Sequence, residues 1–394
     1  MIAGRTLRGI APAGDGHRVT QFELFFDLVF VFAFTRVTEL MLHERGVWGV
    51  AHGLTVLGIL WLSWSTYTWL ANQVRMDRGV MRLGLAVATA AVFVVAVSIP
   101  DAFGAEVAPR VLLVSAYLVV RLVHVVLFML AAHGQPELRR QVLRTNAASL
   151  PPAFVLLFAG AVLGGTAQSW LWIAAWVVDA ALIILSSRRG GAWRLGSAVH
   201  WAERYSLIVI LAIGESIISI GAGLREAGPA GLVAALVAIG GAVLVWWLYF
   251  DGFVPGVERV LASRDGARRV RLGNLAYTDL HLPIVAGIVL IALGIEIVLG
   301  HITEHEPLGL RGAAALWGGL AVFLTATVVI WRIATGRWLL ARVLTVATVV
   351  PVVVLCAGQP PVVTLALAVG LGVLIVAVEA LVPSIGPRES SKSS

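Results

Sequence analysis

The chain has 394 residues, 59% of them hydrophobic and only 13% charged, with a mean hydropathy of +0.92. Soluble domains carry about a quarter charged residues, and outer-membrane barrels show strand alternation that is absent here, so both classes are excluded. The formal net charge is +7, but the arginines lie in short segments between apolar runs, so the expected partner is the lipid bilayer and not nucleic acid.

Residues 1–20 read as a tail. The first apolar run, 22–42, is too long for a signal-peptide core and lacks a cleavage pattern, so it reads as a retained span. It holds three charges: Glu23, Asp27 and Arg36. At about 100° per residue, Glu23 and Asp27 share a helix face, whereas Arg36 points elsewhere.

Spans follow at 48–70, 82–100, 110–132, 145–165 and 169–187. The fourth carries Arg121 and His124 on one face and the sixth carries Asp179, so an Arg121–Asp179 pair is expected. A linker, 188–201, leads to six more spans at 202–222, 229–250, 276–299, 311–331, 339–357 and 361–382, and residues 384–394 form a second tail. Each run can cross a hydrocarbon core of roughly 30 Å.

Within the second group, Glu203, Arg204 and Glu215 lie in the seventh span, and Asp279 and His281 lie near the start of the ninth. Asp279 and His281 are two residues apart, so as α-helix they face opposite sides. His52 and His200 read as interface residues near span ends. Trp64, Trp246 and Tyr249 read as headgroup-level anchors or packing residues, Asp101, Asp251 and Glu379 as solvated span ends, and Gly214 as a close-packing position.

Basic residues set the orientation. The segments before span one and after spans two, four, six, eight, ten and twelve hold 22 of the 29. Basic residues prefer the cytoplasmic face, so both termini are expected there, in a bacterial inner membrane.

The fold class is therefore an all-α polytopic membrane protein of about twelve spans. FELFFDLVFVFAFTRVTEL at 22–40 set above AERYSLIVILAIGESIISI at 202–220 aligns Glu23 with Glu203, and WSTY at 64–67 echoes WWLY at 246–249. This suggests two parallel six-helix halves, 21–187 and 202–383. The alignment puts Glu215 at the depth of Arg36, so those two are expected to meet between the halves, with Glu23 and Asp27 near Glu203 and Arg204.

These two blocks, with AYTDLHLPIVAGIVLIALGIEIVL at 276–299, resemble the bacterial low temperature requirement protein A family. The likeness runs from Thr20 to about Leu381. Phe25–Thr35, FFDLVFVFAFT, is also similar to the Phe-Ser-Asp signature of a lysosomal and bacterial potassium-channel family, with Phe26 in the place of the Ser. The loops MDRGVMR and SRDGARR resemble that of the major facilitators more weakly.

A charge at mid-span costs about 2.5–3.5 kcal/mol on insertion scales, so such groups need protein or water around them. The expected function is transport or channel-like passage of an ion or small solute. Glu23, Asp27, Arg36, Glu203, Arg204 and Glu215 are its candidate pathway, and Arg121, His124, Asp179, Asp279 and His281 form a secondary polar cluster. The alternative is a non-transporting sensor or scaffold whose charge pairs only lock packing. No enzyme activity, catalytic residue, cofactor or metal site is expected: Ser-His-Asp and phosphate-loop patterns are not seen, His124 and His281 are the only pair that could hold a haem, and Cys356 is the only thiol.

Overall fold

The computed structural model describes residues 18–44, 46–189, 195–224, 228–304 and 306–381, the side chains of 187–189 excepted. Most of both tails and Arg45, Arg194 and Arg225 lie outside them, so Arg5, Arg8, Arg388 and Lys392 do too.

The described residues are overwhelmingly helical and contain no strand. The helices are α1 (Gln21–His43), α2 (Val47–Ala71), α3 (Gly79–Ser98), α4 (Val107–Ala131), α5 (Pro136–Leu163), α6 (Gly165–Arg189), α7 (Ala198–Gly223), α8 (Pro229–Phe250), α9 (Phe253–Ala262), α10 (Gly266–Leu272), α11 (His281–Gly300), α12 (Gly309–Thr335), α13 (Leu340–Ala357) and α14 (Pro361–Leu381). A π-helical segment, Gly273–Asp279, joins α10 to α11.

Among the described residues, 11 helical segments are long and apolar enough to cross a bilayer. α1 is not among them, although its 23 residues are long enough. Its charges set it apart, and two of them, Glu23 and Asp27, are buried inside the protein. The ninth predicted span differs from a plain helix: its first turn is π-helical, and α11 proper starts at His281.

The chain forms two compact units. One runs to Arg204 and takes in Gly266–Val270; the other comprises Tyr205–Asp265 and the chain from Arg271 on. The boundary falls inside α7, so its first seven residues belong to the first unit.

In the first unit α2 is the central helix, packed on α1, α4 and α6. It is apolar nearly all round, as a helix surrounded by others must be. In the second unit α11 has that position, against α8, α12 and α14. Its contact with α12 depends on glycines. A Cβ on Gly294 would stand 2.5 Å from the Leu316 nitrogen, and one on Gly287 2.6 Å from the Phe323 nitrogen. Small residues let two backbones approach this closely. Gly214 has no such role, because a Cβ there meets nothing within 4 Å. Outward faces expose Phe25, Leu28, Leu83, Leu344, Val350 and many other apolar residues, the surface expected toward lipid.

Candidate functional site: a buried acid cluster on α1 and α7

α1 begins with Thr20-Gln21-Phe22-Glu23, a Thr-x-x-Glu capping pattern. The Thr20 hydroxyl donates to Glu23 Oε1 at 3.1 Å. The cap thus ties up one oxygen of Glu23 and turns the other inward, one helical turn before Asp27. Asp27 is fully buried.

Two elements supply the partners. From α7, Arg204 Nη2 donates to Asp27 Oδ1 at 2.8 Å, and its Nη1 lies 3.8 Å from Glu23 Oε2. From α2, Trp64 Nε1 donates to the same Asp27 oxygen at 2.9 Å, and the Arg204 guanidinium lies 5.6 Å from the Trp64 ring centre. His200, one turn before Arg204, stands with Nε2 2.9 Å from Glu23 Oε2.

The tautomer of His200 follows from Asn72. Asn72 Oδ1 accepts from the Gly196 N–H at 2.8 Å, which fixes the amide orientation. Its nitrogen then donates to Ser197 O at 2.9 Å and faces His200 Nδ1 at 3.3 Å. Nδ1 is therefore the acceptor, and Nε2–H donates to Glu23. The cluster therefore brings two carboxylates, an imidazole and the Arg204 guanidinium together. Asp27 Oδ2 and Arg204 Nε are buried with no hydrogen-bond partner among the described residues.

The chain matches the family described as bacterial low temperature requirement A protein (LtrA) over residues 18–378, nearly its whole length. The chain belongs to the LtrA family. It is also 28% identical over 333 residues to an uncharacterized protein of Rhizobium meliloti (strain 1021), covering 79% of this chain and 77% of that one. No solved structure matches it.

In this LtrA protein the other candidate residues fall into separate settings. Glu203 accepts from the Val19 N–H at 3.1 Å and so pins the chain entering α1. Arg36 pairs with Glu39 on its own helix. Glu215, in the second unit, shares the Ser219 hydroxyl with Glu296, at 3.4 Å and 3.3 Å. Arg121 is fully buried, bonded to Asp179 and, at 2.7 Å, to the Tyr117 hydroxyl. His124 lies 5.3 Å from the Tyr67 ring in the same region.

His281 is fully committed. Its Nδ1 donates to Ala276 O at 2.8 Å, five residues back across the π-helical segment, and its Nε2 accepts from the Tyr249 hydroxyl at 2.7 Å. Tyr277 stacks on its ring. Ligating a haem iron would cost one of these bonds. Asp279 ends the π segment and is half-buried.

Several readings from the sequence are corrected here. His200 is no interface residue: it is wholly buried against Glu23. Trp64 is no headgroup anchor, since its N–H serves Asp27, and Tyr249 serves His281. Glu379 is not solvated: Arg342, also counted with the loop residues, holds both its oxygens at 2.8 Å. A Glu44–His52–Ser169 chain also exists, at 2.5 Å and 2.8 Å, where no acid–imidazole–hydroxyl arrangement was expected. Ser169 is 5% exposed and His52 lies flat on Phe103, so the chain ties α2 to α6 beside the end of α1. Apart from Glu44 and His52, these partners are far apart in sequence, and Asn72 carries no charge to draw attention inside an apolar run.

Proposed function

We propose that this LtrA-family membrane protein carries a proton or small monovalent cation through the Glu23–Asp27 cluster. The reading rests on one observation. Two buried carboxylates, one helical turn apart, meet around Arg204, and one oxygen of Asp27 has no hydrogen-bond partner among the described residues. A pair of acids held this close concentrates negative charge in a region where charge is costly. Uptake of a proton or cation at Asp27 Oδ2 balances it. Release restores the Arg204 pair, and that alternation is what a carrier needs.

The working orientation places both termini in the cytoplasm of a bacterial inner membrane, from the arginine distribution. The two halves are read as a parallel repeat, with Tyr67 and Tyr249 as equivalent positions, each beside a buried histidine.

A second reading is supported by the other charge pairs. Arg342 with Glu379, and Arg121 with Asp179, are one-to-one and buried. They have the form of clamps that set helix register, as in a sensor or scaffold. Reconstitution decides between the two. Vesicles containing the wild type should pass protons or monovalent cations down a gradient, and Asp27→Asn, matched for folding by its melting midpoint, should not. Absence of wild-type flux under every gradient, or unchanged flux in Asp27→Asn, removes the transport reading.

A further inference from the structure

A cavity of about 750 Å³ lies at the start of α1, lined by Arg18, Thr20, Gln21, Phe22, Arg75 and Arg82, among others. Arg75 is held by Asp77 at 2.8 Å and 3.1 Å. The excess positive charge is therefore that of Arg18 and Arg82. Arg82 lies over the Phe22 ring, 5.4 Å from its centre.

One turn along α1 from Phe22, which lines the cavity, an apolar surface begins. α1 and α3 run side by side in the same direction, joined at two levels: Phe22 meets Arg82, and ten residues later Phe32 stacks on Phe93 at 5.4 Å. Ten residues of helix span about 15 Å. Between these levels Phe25 and Leu28 on α1 are each 54% exposed. On α3, Ala86 and Ala90, one and two turns past Arg82, are exposed and small. Side chains this small, between Phe25 and Leu28 on α1 and the exposed Leu83 and Val87 on α3, would leave room for a trough. A guanidinium pocket at the end of a helix pair and an open apolar track leading from it match an amphiphile with an anionic head.

We propose that this site binds an anionic phospholipid, with the phosphate between Arg18 and Arg82 and an acyl chain along the α1–α3 trough. Arginine suits the head because its planar fork donates two hydrogen bonds to phosphate oxygens. Basic pockets at the inner ends of spanning helices take such headgroups elsewhere. A free phosphate would satisfy the arginines but make no use of the trough. The inference is independent of transport through Asp27.

The full chain in mild detergent, presented with dioleoyl phosphatidylglycerol, dioleoyl phosphatidylcholine or inorganic phosphate, provides the test, read by native mass spectrometry and melting midpoint. Phosphatidylglycerol should be retained over phosphatidylcholine, and Arg18→Gln with Arg82→Gln should lower its binding about 30-fold, at roughly a fivefold loss per arginine. Removing the same charge at Arg139 and Arg140, which are exposed on α5, should leave binding unchanged. Ala90→Trp fills the trough at an exposed position with every charge intact, and it too should weaken retention. Wild-type preference in the double arginine variant overturns the site. Equal loss in the Arg139 and Arg140 variant reduces it to net charge. Displacement by inorganic phosphate, with Ala90→Trp silent, assigns the pocket to a free anion and overturns the lipid.

Discussion

His200 donates to Glu23 across 2.9 Å while Asn72, the residue that caps α2, faces its other ring nitrogen, so an uncharged amide orients the imidazole toward a cluster built from α1 and α7. Arg204, on the same helix as His200, faces both carboxylates, bonded to Asp27 at 2.8 Å and 3.8 Å from Glu23.

Arg204→Leu should therefore be among the costliest substitutions in the chain. It strands two buried acids, and breaking a buried pair from one side costs about 3–5 kcal/mol. Adding Asp27→Asn to it should recover part of that loss, since one of the stranded charges is removed. Melting of the four proteins of this double-mutant cycle in detergent measures the coupling. A strictly additive result would mean that Arg204 and Asp27 do not interact.

Trp64→Phe keeps an aromatic ring but deletes the N–H that serves Asp27, together with part of the indole. A hydrogen bond to a charged group contributes about 1.5–3 kcal/mol. A loss of that order is expected, without change in helix content by circular dichroism. If the variant melts like the wild type, Trp64 is packing alone.

The α11–α12 contact predicts a contrast between two glycines. Gly294→Ala forces a methyl group to within 2.5 Å of the Leu316 backbone, and overpacking of this kind costs about 1–3 kcal/mol. Gly214→Ala meets open space within a helix, where alanine is favoured by roughly 0.5–1 kcal/mol. The two variants should shift the melting midpoint in opposite directions.

Asp77 lies in the segment between α2 and α3, where its hydrogen bonds with Arg75 hold its carboxyl below the ordinary aspartate value of 3.8. A depressed value in the folded state means the pair contributes stability above the unfolded value. That contribution is lost as pH falls below about 4 and through the folded value. Because the pair is largely solvated, the effect should stay under about 1 kcal/mol. Asp77→Asn should remove a small acid-side slope in stability and leave the neutral range nearly unchanged. A slope that persists in the variant belongs to other carboxylates.

Tyr249→Phe leaves His281 Nε2 as a buried acceptor without its donor, at a cost of about 1–3 kcal/mol. Tyr67→Phe offers a comparison in the first unit, where the hydroxyl serves the Val120 carbonyl at 2.9 Å. Comparable losses in the two variants would fit the pairing of these tyrosines as equivalent positions, and a silent Tyr249→Phe would remove it.

Much of the architecture was legible because apolar runs report directly on spans: 229–250 coincides with α8, and 22–42 falls within a residue of α1 at each end. The π-helical start of the ninth span was not legible, because its Gly-Asn-Leu-Ala-Tyr-Thr-Asp carries no periodicity that separates π from α. In the cluster, Glu23 and Asp27 stood out by their cost in an apolar helix. Trp64, Asn72 and His200 did not, since aromatic and amide side chains near span ends have ordinary uses there.

The residues in chain order were enough to establish a helical membrane protein, its spans and the acids that demand an explanation, because burying a charge in hydrocarbon is expensive wherever the helix goes. Which partner meets each acid was decided only by tertiary packing. Trp64, His200 and Arg204 reach α1 across 37 to 177 positions of sequence, and hydrogen bonds have angles and lengths that no local pattern encodes.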